Sequence, residues 1–255
     1  MSAPVTVGVS LKMYLGHRQA IDWFASVAEI AAAHPAVLSG DVELFVIPTY
    51  LQILPALDAF ADTLVRVGAQ DAANVDAGAF TGEVSPAELA EVGVELVEIG
   101  HAERRKLFGE TDEIVASKTR AALRNGLTPV LCIGESDHLG EAEAAEVTIA
   151  QLGSALADAP AGPVIVAYEP VWAIGAPEPA PVAHIQAVCA ALRGALDFLP
   201  GRAGSAVIYG GSAGPGLLTA LGASVDGLFL GRFAHDPASL AAVLDEAATL
   251  AGRAA

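Results

Sequence analysis

The chain has 255 residues, 53% of them hydrophobic, and its formal net charge at pH 7 is −17. So strong a negative charge opposes binding to nucleic acid and to anionic membranes, and we expect neither partner. No apolar run is long enough for a membrane span and the N-terminus lacks the regions of a secretion signal, which predicts a cytoplasmic protein. Cys132 and Cys189 lie in apolar stretches without metal-ligand spacing, so we expect buried free thiols, with no metal and no cofactor.

Eight short runs rich in β-branched residues alternate with helical patterns. The predicted helices include 18–33, 112–125, 141–157 and 182–196, and the predicted strands are 5–10, 42–48, 64–70, 94–100, 128–134, 164–170, 205–211 and 226–232. This alternation predicts parallel βαβ units. Eight units in about 250 residues favour an α/β fold of the closed (β/α)₈ barrel type over a doubly wound sheet. No linker interrupts the pattern, so we expect one domain over residues 1–255.

Polar or small residues follow most of the predicted strands. In a barrel these strand ends open onto one face, where active sites form. The negative chain repels a phosphorylated substrate at long range, so any phosphate site must be built locally from backbone N–H groups and a few cations.

Glu169 and His101 follow the sixth and fourth predicted strands. Glu169 is well placed for a general base, although a helix-terminal charge or a salt-bridge partner fits its position as well. His101 precedes a predicted helix, whose N-terminus disfavours the imidazolium form. A neutral histidine there can donate a hydrogen bond to a substrate carbonyl, and a structural histidine is the alternative.

Lys12 and the glycines after the last two strands are candidates for anion binding. Lys12 has apolar neighbours at a strand end, which suits an electrostatic anchor, whereas most lysines are solvated surface charges. Residues 210–212 and 231–232 follow the seventh and eighth strands, where barrels often bind phosphate through backbone N–H groups. Ordinary glycine turns are the alternative.

Several segments resemble the triosephosphate isomerase family. Residues 167–175, AYEPVWAIG, are similar to the family signature around its catalytic base and lid, and residues 98–105, EIGHAERR, are similar to its histidine segment. The other similar segments are 68–70, 78–83, 131–135 and 209–212. Because these segments occur in the family's order over almost the whole chain, the chain is identified as a member of this family.

The resemblance assigns roles to individual residues. It implies that Glu169 moves a proton between adjacent carbons, that neutral His101 polarises the carbonyl and that Lys12 stabilises the enediolate and the phosphate. Glu103 is implied to anchor this charged cluster, and residues 170–180 to form a closing lid. A neutral catalytic histidine and lid closure are both established features of the family. The implied phosphate ligands are the N–H groups of Gly175, Ser212, Gly231 and Arg232.

The resemblance also implies a homodimer. Residues 71–84 correspond to the family's dimer-forming loop, which would insert near Lys12 of the partner subunit. The loop is apolar at Ala77, Ala79 and Phe80, which is unusual for an exposed tip unless a partner buries it.

Four departures from the family pattern surround the retained Lys, His and Glu. Ser10 replaces the usual asparagine, Ala102 replaces the usual serine, and Arg232 replaces the second of two usual glycines. The lid segment 176–180 reads APEPA in place of the usual TGKTA, and its two prolines stiffen the second hinge. We therefore expect conserved chemistry in a pocket of changed shape, with volume removed near the substrate and a positive charge added near the phosphate.

Ser10 and the pair Gly231-Arg232 resemble the residues at these positions in one branch of the family. That branch isomerises L-erythrulose 1-phosphate to D-erythrulose 4-phosphate in polyol catabolism. That substrate is dihydroxyacetone phosphate with one more hydroxymethyl group, and Ser10 leaves room for it. Triosephosphate isomerase activity, as in glycolysis, is the first alternative. A barrel that binds phosphates without catalysis is the second, and retention of Lys12, His101 and Glu169 argues against it.

Overall fold

The computed structural model describes residues 3–253, whose eight parallel strands close into a barrel. Each strand pairs with the next along the chain, and the eighth pairs with the first. The strands are β1 (Val5–Ser10), β2 (Val42–Ile47), β3 (Arg66–Ala69), β4 (Leu96–Ile99), β5 (Thr128–Ile133), β6 (Ile165–Tyr168), β7 (Ala206–Tyr209) and β8 (Gly227–Leu230). The predicted (β/α)₈ fold is confirmed.

Helices surround the barrel. Those in the described part of the chain are α1 (His17–Ala33), α2 (Pro35–Leu38), α3 (Ile53–Ala59), α4 (Pro86–Glu91), α5 (Ala102–Phe108), α6 (Asp112–Arg124), α7 (Glu141–Ala155), α8 (Val182–Asp197), α9 (Leu217–Leu221) and α10 (Pro237–Arg253). The four predicted helices agree with α1, α6, α7 and α8 to within two residues at either end. Within residues 3–253, no helix is both long enough and apolar enough to cross a lipid bilayer.

Helix α1 illustrates how the sequence forms the outer layer. Its buried residues recur at helical spacing and form one apolar face: Ala20, Trp23, Phe24, Val27 and Ala31. This face packs into the core between the helices and the strands. The indole Nε1 of Trp23 donates a hydrogen bond to the carbonyl of Ala234, 2.8 Å away, which ties α1 to the segment after β8.

A second core fills the inside of the barrel. Phe45 lies at its centre, and its ring is 5.7 Å from the ring of Phe229. A Cβ at Gly8 would approach the Phe45 ring to 2.1 Å, so only glycine leaves room for this phenylalanine. The barrel is therefore packed at this level, and a ligand can enter only above it, at the carboxyl ends of the strands.

The strands end earlier than predicted where the chain turns into the site. Strand β4 ends at Ile99, one residue short of the predicted end, because Gly100 adopts a left-handed conformation with φ of 75°. Strand β6 likewise ends at Tyr168, two residues short of the predicted end. These turns place His101 and Glu169 beyond the sheet, at the mouth of the barrel.

Candidate active site

The carboxyl ends of the strands surround a cavity of about 630 Å³. All nine predicted site residues line it: Ser10, Lys12, His101, Glu103, Glu169, Gly175, Ser212, Gly231 and Arg232. Residues that the sequence analysis did not assign to the site also line it, among them Tyr14, Glu98, Phe229, Leu230 and Phe233. The fold thus brings together predicted site residues that are up to 222 positions apart, from Ser10 to Arg232.

Lys12 is held in a conformation that few residues other than glycine adopt. Its φ is 46°, and the side-chain amide of Gln70 donates a hydrogen bond to its carbonyl over 2.9 Å. Its Nζ lies 2.8 Å from a carboxylate oxygen of Glu103. Burial opposes ionisation of this lysine, but the hydrogen bond and charge of Glu103 outweigh burial and raise the pKa of Lys12. The cavity therefore contains a permanently charged ammonium in a fixed position.

His101 caps the N-terminus of α5. Its Nδ1 accepts a hydrogen bond from the backbone N–H of Glu103 over 3.1 Å. Burial, followed by the charge of Lys12, lowers the pKa of His101 to about 4. The imidazole is therefore neutral at pH 7, and because Nδ1 is the acceptor, Nε2 carries the hydrogen.

Glu169 faces His101 across the cavity. Its Oε2 lies 3.5 Å from Nε2 of His101 and, within residues 3–253, has no hydrogen-bond partner. A Cβ at Gly210 would approach Oε1 of Glu169 to 2.6 Å, so the glycine after β7 makes room for this carboxylate. Burial raises the pKa of Glu169 well above its ordinary range, and the nearby charge of Glu98 raises it further. A carboxylate in this state is a stronger base than one in water.

Glu98 is a functional candidate that the sequence analysis missed. It lies on β4, only 3% exposed, and lines the floor of the cavity. The hydroxyl of Ser10 donates a hydrogen bond to its Oε2 over 2.9 Å. The sequence could have indicated this position. Glu98 is two residues after Leu96 on a strand that is buried throughout, so both side chains face the inside of the barrel. A charged residue on the inner face of a barrel strand is itself a signal of function.

The predicted phosphate ligands lie on the β6 to β8 side of the mouth. Gly175 adopts φ of 71°, and Nη2 of Arg232 is 3.6 Å from the place where a Cβ of this glycine would lie. The guanidinium of Arg232 is therefore next to the lid. The N–H of Ser212 donates to the carbonyl of Ala173 over 3.2 Å, so it can bind phosphate only if this bond breaks.

A buried polar network anchors the lid. Glu135 accepts hydrogen bonds from Nε1 of Trp172 at 3.0 Å and from the hydroxyl of Tyr168 at 3.1 Å. At the far end of the lid, the N–H of Ala180 donates to the hydroxyl of Tyr209 over 3.1 Å. Glu135 therefore connects the lid to the barrel and, unlike Glu98 and Glu169, does not line the cavity.

The arrangement suits proton transfer beside a carbonyl group. A carboxylate of raised pKa faces a neutral imidazole N–H, and a fixed ammonium is close to both. A substrate whose carbonyl accepts from Nε2 of His101 would place the adjacent carbon near Glu169. Lys12 would then offset the negative charge that develops on the oxygens when the proton leaves.

Sequence comparison agrees with this chemistry. The family model described as triosephosphate isomerase matches residues 5–247. The chain belongs to the triosephosphate isomerase family, and it is a sugar-phosphate isomerase. The neutral state of His101 thus reproduces a known property of this family.

The relatives of this chain include two kinds of enzyme. The L-erythrulose-1-phosphate isomerase of Pectobacterium atrosepticum is 53% identical to it over 257 residues, which is 99% of both chains. The L-erythrulose-1-phosphate isomerase of Mesorhizobium japonicum is 40% identical over 89% of this chain and 91% of its own. The triosephosphate isomerase of Mycobacteroides abscessus is 42% identical over 84% of each chain.

Proposed function

We propose that this protein converts L-erythrulose 1-phosphate to D-erythrulose 4-phosphate. The carbonyl group moves from C2 to C3 in the numbering of the substrate, so both sugars are ketoses. One observation supports this type of reaction most directly. The Glu169 carboxylate lies 3.5 Å from Nε2 of His101, in a cavity that Lys12 also lines. A base and a hydrogen-bond donor at this separation can act on neighbouring atoms of one substrate.

The three side chains then have separate tasks. Glu169 removes the proton from C3 while His101 donates from Nε2 to the oxygen on C2. Lys12 stabilises the negative charge of the enediolate. Glu169 returns the proton to C2, and the C3 hydroxyl loses its proton to become the new carbonyl. One carbon-bound proton moves from C3 to C2 and one oxygen-bound proton from O3 to O2, so no external oxidant or reductant is needed.

We also propose that the phosphate is held on the β6 to β8 side of the mouth. The ligands are the backbone N–H groups of Gly175, Ser212, Gly231 and Arg232, with the guanidinium of Arg232 adding a positive charge. Support comes from the position of all four around the cavity and from the closeness of Arg232 to Gly175. Closure of residues 170–180 over the phosphate would release the N–H of Ser212 from Ala173.

Two observations favour a four-carbon over a three-carbon substrate. The Pectobacterium relative, at 53% identity over essentially the whole chain, is an L-erythrulose-1-phosphate isomerase. In addition, Ser10 is a small residue at the floor of the cavity, which leaves space beyond the reacting carbons. Triosephosphate isomerase activity is the second candidate, because a relative of that activity is 42% identical over 84% of the chain.

The test is to follow the carbonyl carbon by ¹³C NMR while purified protein acts on L-erythrulose 1-phosphate. We expect the C2 carbonyl signal to fall and a C3 carbonyl signal to rise until equilibrium is reached, with no reaction for Glu169→Gln. Turnover of dihydroxyacetone phosphate without turnover of the tetrulose phosphate would establish the second candidate. No turnover of either substrate would indicate a barrel that binds phosphates without catalysis.

We propose that the protein acts as a homodimer through residues 71–84. Phe80 is 51% exposed in this loop, and the segments after β1, β2 and β4 expose large apolar side chains on the same side of the mouth: Met13, Leu51, Leu54, Leu107 and Phe108. An apolar area of this kind on adjacent strand ends is typical of a protein–protein interface. Light scattering at micromolar concentration is expected to give twice the chain mass, and a lower mass for Phe80→Asp.

A cytoplasmic location is part of this proposal. Both cysteines, Cys132 and Cys189, are buried free thiols, as expected for a protein made in a reducing compartment. Fractionation of cells that produce the tagged protein should recover it with cytoplasmic markers, and recovery in a secreted fraction would contradict this location.

A further inference from the structure

Glu98 occupies a position where an apolar residue would be expected. Other inward-facing residues of the barrel, among them Leu96, Cys132 and Phe229, belong to the interior apolar core. A buried carboxylate without a cationic partner costs several kcal/mol in folding, and an apolar side chain of similar size avoids that cost. The fold therefore does not require a carboxylate here.

The partners of this carboxylate leave it able to accept further hydrogen bonds. Within residues 3–253, its bonds come from the hydroxyl of Ser10 at 2.9 Å and from the thiol of Cys132 at 4.0 Å, which is a weak contact. An ionised carboxylate has about four lone-pair positions. Because Glu98 lines the cavity, the free positions are accessible to a ligand.

The bond between Ser10 and Glu98 crosses the inside of the barrel. Ser10 ends β1 and Glu98 lies on β4, and these strands are not neighbours in the closed sheet. A hydrogen bond between them therefore spans the interior and forms part of the cavity floor. The predicted phosphate ligands follow β6, β7 and β8, and β8 is opposite β4 in the barrel.

This separation fixes the direction in which a bound substrate extends. With the phosphate on the β6 to β8 side and the reacting carbons beside Glu169 and His101, any further carbon points away from the phosphate, towards β4, where Glu98 lies. In L-erythrulose 1-phosphate the further carbon is C4, which carries a hydroxyl group. In dihydroxyacetone phosphate the reacting carbon is the last one, so nothing reaches this part of the floor.

We propose that Glu98, positioned by Ser10, accepts a hydrogen bond from the C4 hydroxyl group of the substrate and is a specificity-determining residue for four-carbon sugar phosphates. This inference rests on the proposed function. Ser10 provides space for the additional carbon, whereas Glu98 provides a hydrogen-bond acceptor for its hydroxyl group. A site that pairs a buried polar group with a substrate hydroxyl discriminates strongly against a substrate that lacks this hydroxyl, since the buried group is then left unpaired.

The experiment compares L-erythrulose 1-phosphate with its 4-deoxy analogue, which has a methyl group in place of the hydroxymethyl group. For the wild-type protein we expect kcat/KM to be roughly 10- to 150-fold higher for the hydroxylated substrate, the range of a hydrogen bond to a charged group. For Glu98→Leu we expect the two values to agree within about threefold, because the hydroxyl has then lost its partner.

Two further variants make the result decisive. Glu98→Gln keeps the shape and the acceptor for Ser10, and we expect an intermediate preference, so the test remains available if Glu98→Leu fails to fold. Glu95→Gln is the matched control, because Glu95 is a half-exposed carboxylate three residues earlier that pairs with Arg66 outside the cavity. We expect Glu95→Gln to keep the wild-type preference.

The outcomes separate this inference from the proposed function. If wild type converts the tetrulose phosphate and Glu98→Leu keeps the wild-type preference over the 4-deoxy analogue, Glu98 does not bind the hydroxyl and only this inference fails. The same holds if wild type converts both compounds equally well. If wild type does not convert L-erythrulose 1-phosphate at all, the proposed function fails first, and the role of Glu98 fails with it.

Discussion

Two groups of charged side chains in this protein differ in their balance of positive and negative charge. In the first, called here the paired cluster, Lys118 and Arg104 face Asp71 and Glu110, with N–O distances from 2.6 to 2.9 Å. In the second, around the reacting groups of the active site, one ammonium, Lys12, faces the three carboxylates Glu98, Glu103 and Glu169.

The difference in balance appears in the pKa values. Burial opposes ionisation of Glu110 in the paired cluster, but hydrogen bonds from Lys118 and Arg104 outweigh burial and lower the pKa of Glu110. At Asp71 burial outweighs the charges of the same two cations, and the pKa is raised. In the active site Lys12 pairs with Glu103, and burial raises the pKa of Glu98 to about 7 and that of Glu169 well above its ordinary range. The comparison teaches that cations can compensate a buried carboxylate in this protein, as at Glu110, and that Glu98 and Glu169 have no ion-pair partner of this kind where chemistry is expected.

The largest expected effect is on catalysis, at the uncompensated base. Glu169→Gln removes the group that accepts the proton, and we expect kcat to fall by roughly 10²- to 10⁴-fold, the usual contribution of a general base. Steady-state kinetics with L-erythrulose 1-phosphate measure it. Glu178→Gln, an exposed lid residue, is the matched control. A Glu169→Gln variant with kcat near wild type would remove Glu169 from the mechanism.

The next largest effect is a loss of stability when the paired cluster is broken. Lys118→Met leaves the buried Asp71 and Glu110 short of one cation, and removing one partner of a buried ion pair typically costs about 3–5 kcal/mol. We expect the free energy of unfolding to fall by about this amount in urea titrations at pH 7 and fixed protein concentration. Lys106→Met, at an exposed position of α5, should change it little. Equal stability of the two variants would show that the paired cluster contributes no more than a surface lysine.

The third effect is a gain in stability, on removal of the buried charge of Glu98. The pKa of Glu98 is about 7 in the folded protein against an ordinary value of 4.5, so the folded state binds more protons between these values. The penalty for an ionised Glu98 therefore grows as pH rises from about 4.5 to 7 and is complete above 7, where it reaches about 3 kcal/mol. We expect Glu98→Gln to be more stable than wild type by up to about 3 kcal/mol at pH 8.

This gain should shrink as the pH falls towards 4.5 and disappear below it, where Glu98 is protonated in both the folded and the unfolded state. Urea unfolding at pH 8 and pH 5 measures the difference, with Glu95→Gln as the control. A Glu98→Gln variant that is less stable than wild type at pH 8 would mean that the carboxylate is compensated after all, and the contrast with the paired cluster would be lost.

The smallest expected effect concerns the space beside residue 10 at the floor of the active-site cavity. Ser10→Asn keeps a donor for Glu98 but adds roughly a carboxamide of volume, and overpacking typically costs about 1–3 kcal/mol. We expect the ratio of kcat/KM for L-erythrulose 1-phosphate to that for dihydroxyacetone phosphate to fall roughly 5- to 200-fold. Ser10→Ala, which removes the hydroxyl without adding bulk, separates volume from hydrogen bonding. A ratio that Ser10→Asn leaves unchanged would rule out a steric role for residue 10.

Much of the fold and of the site could be predicted because the relevant signals are local. Alternating strand and helix patterns gave the barrel, and the segments around His101 and Glu169 resemble a known family closely enough to place the reacting groups. The role of Glu98 could not be read in the same way, because it depends on a hydrogen bond to a residue 88 positions away. The hydrogen bond from the N–H of Ser212 to the carbonyl of Ala173 could not be predicted from the sequence either, since it depends on how the lid lies against the turn after β7.

The most direct measurement is kcat/KM of the wild-type protein for L-erythrulose 1-phosphate and for dihydroxyacetone phosphate, under the same conditions at pH 7. We expect the tetrulose phosphate to be preferred by at least about tenfold, because the proposed partner of Glu98 is its C4 hydroxyl, and the triose phosphate lacks this hydroxyl. A preference for dihydroxyacetone phosphate would contradict the account and establish triosephosphate isomerase activity instead.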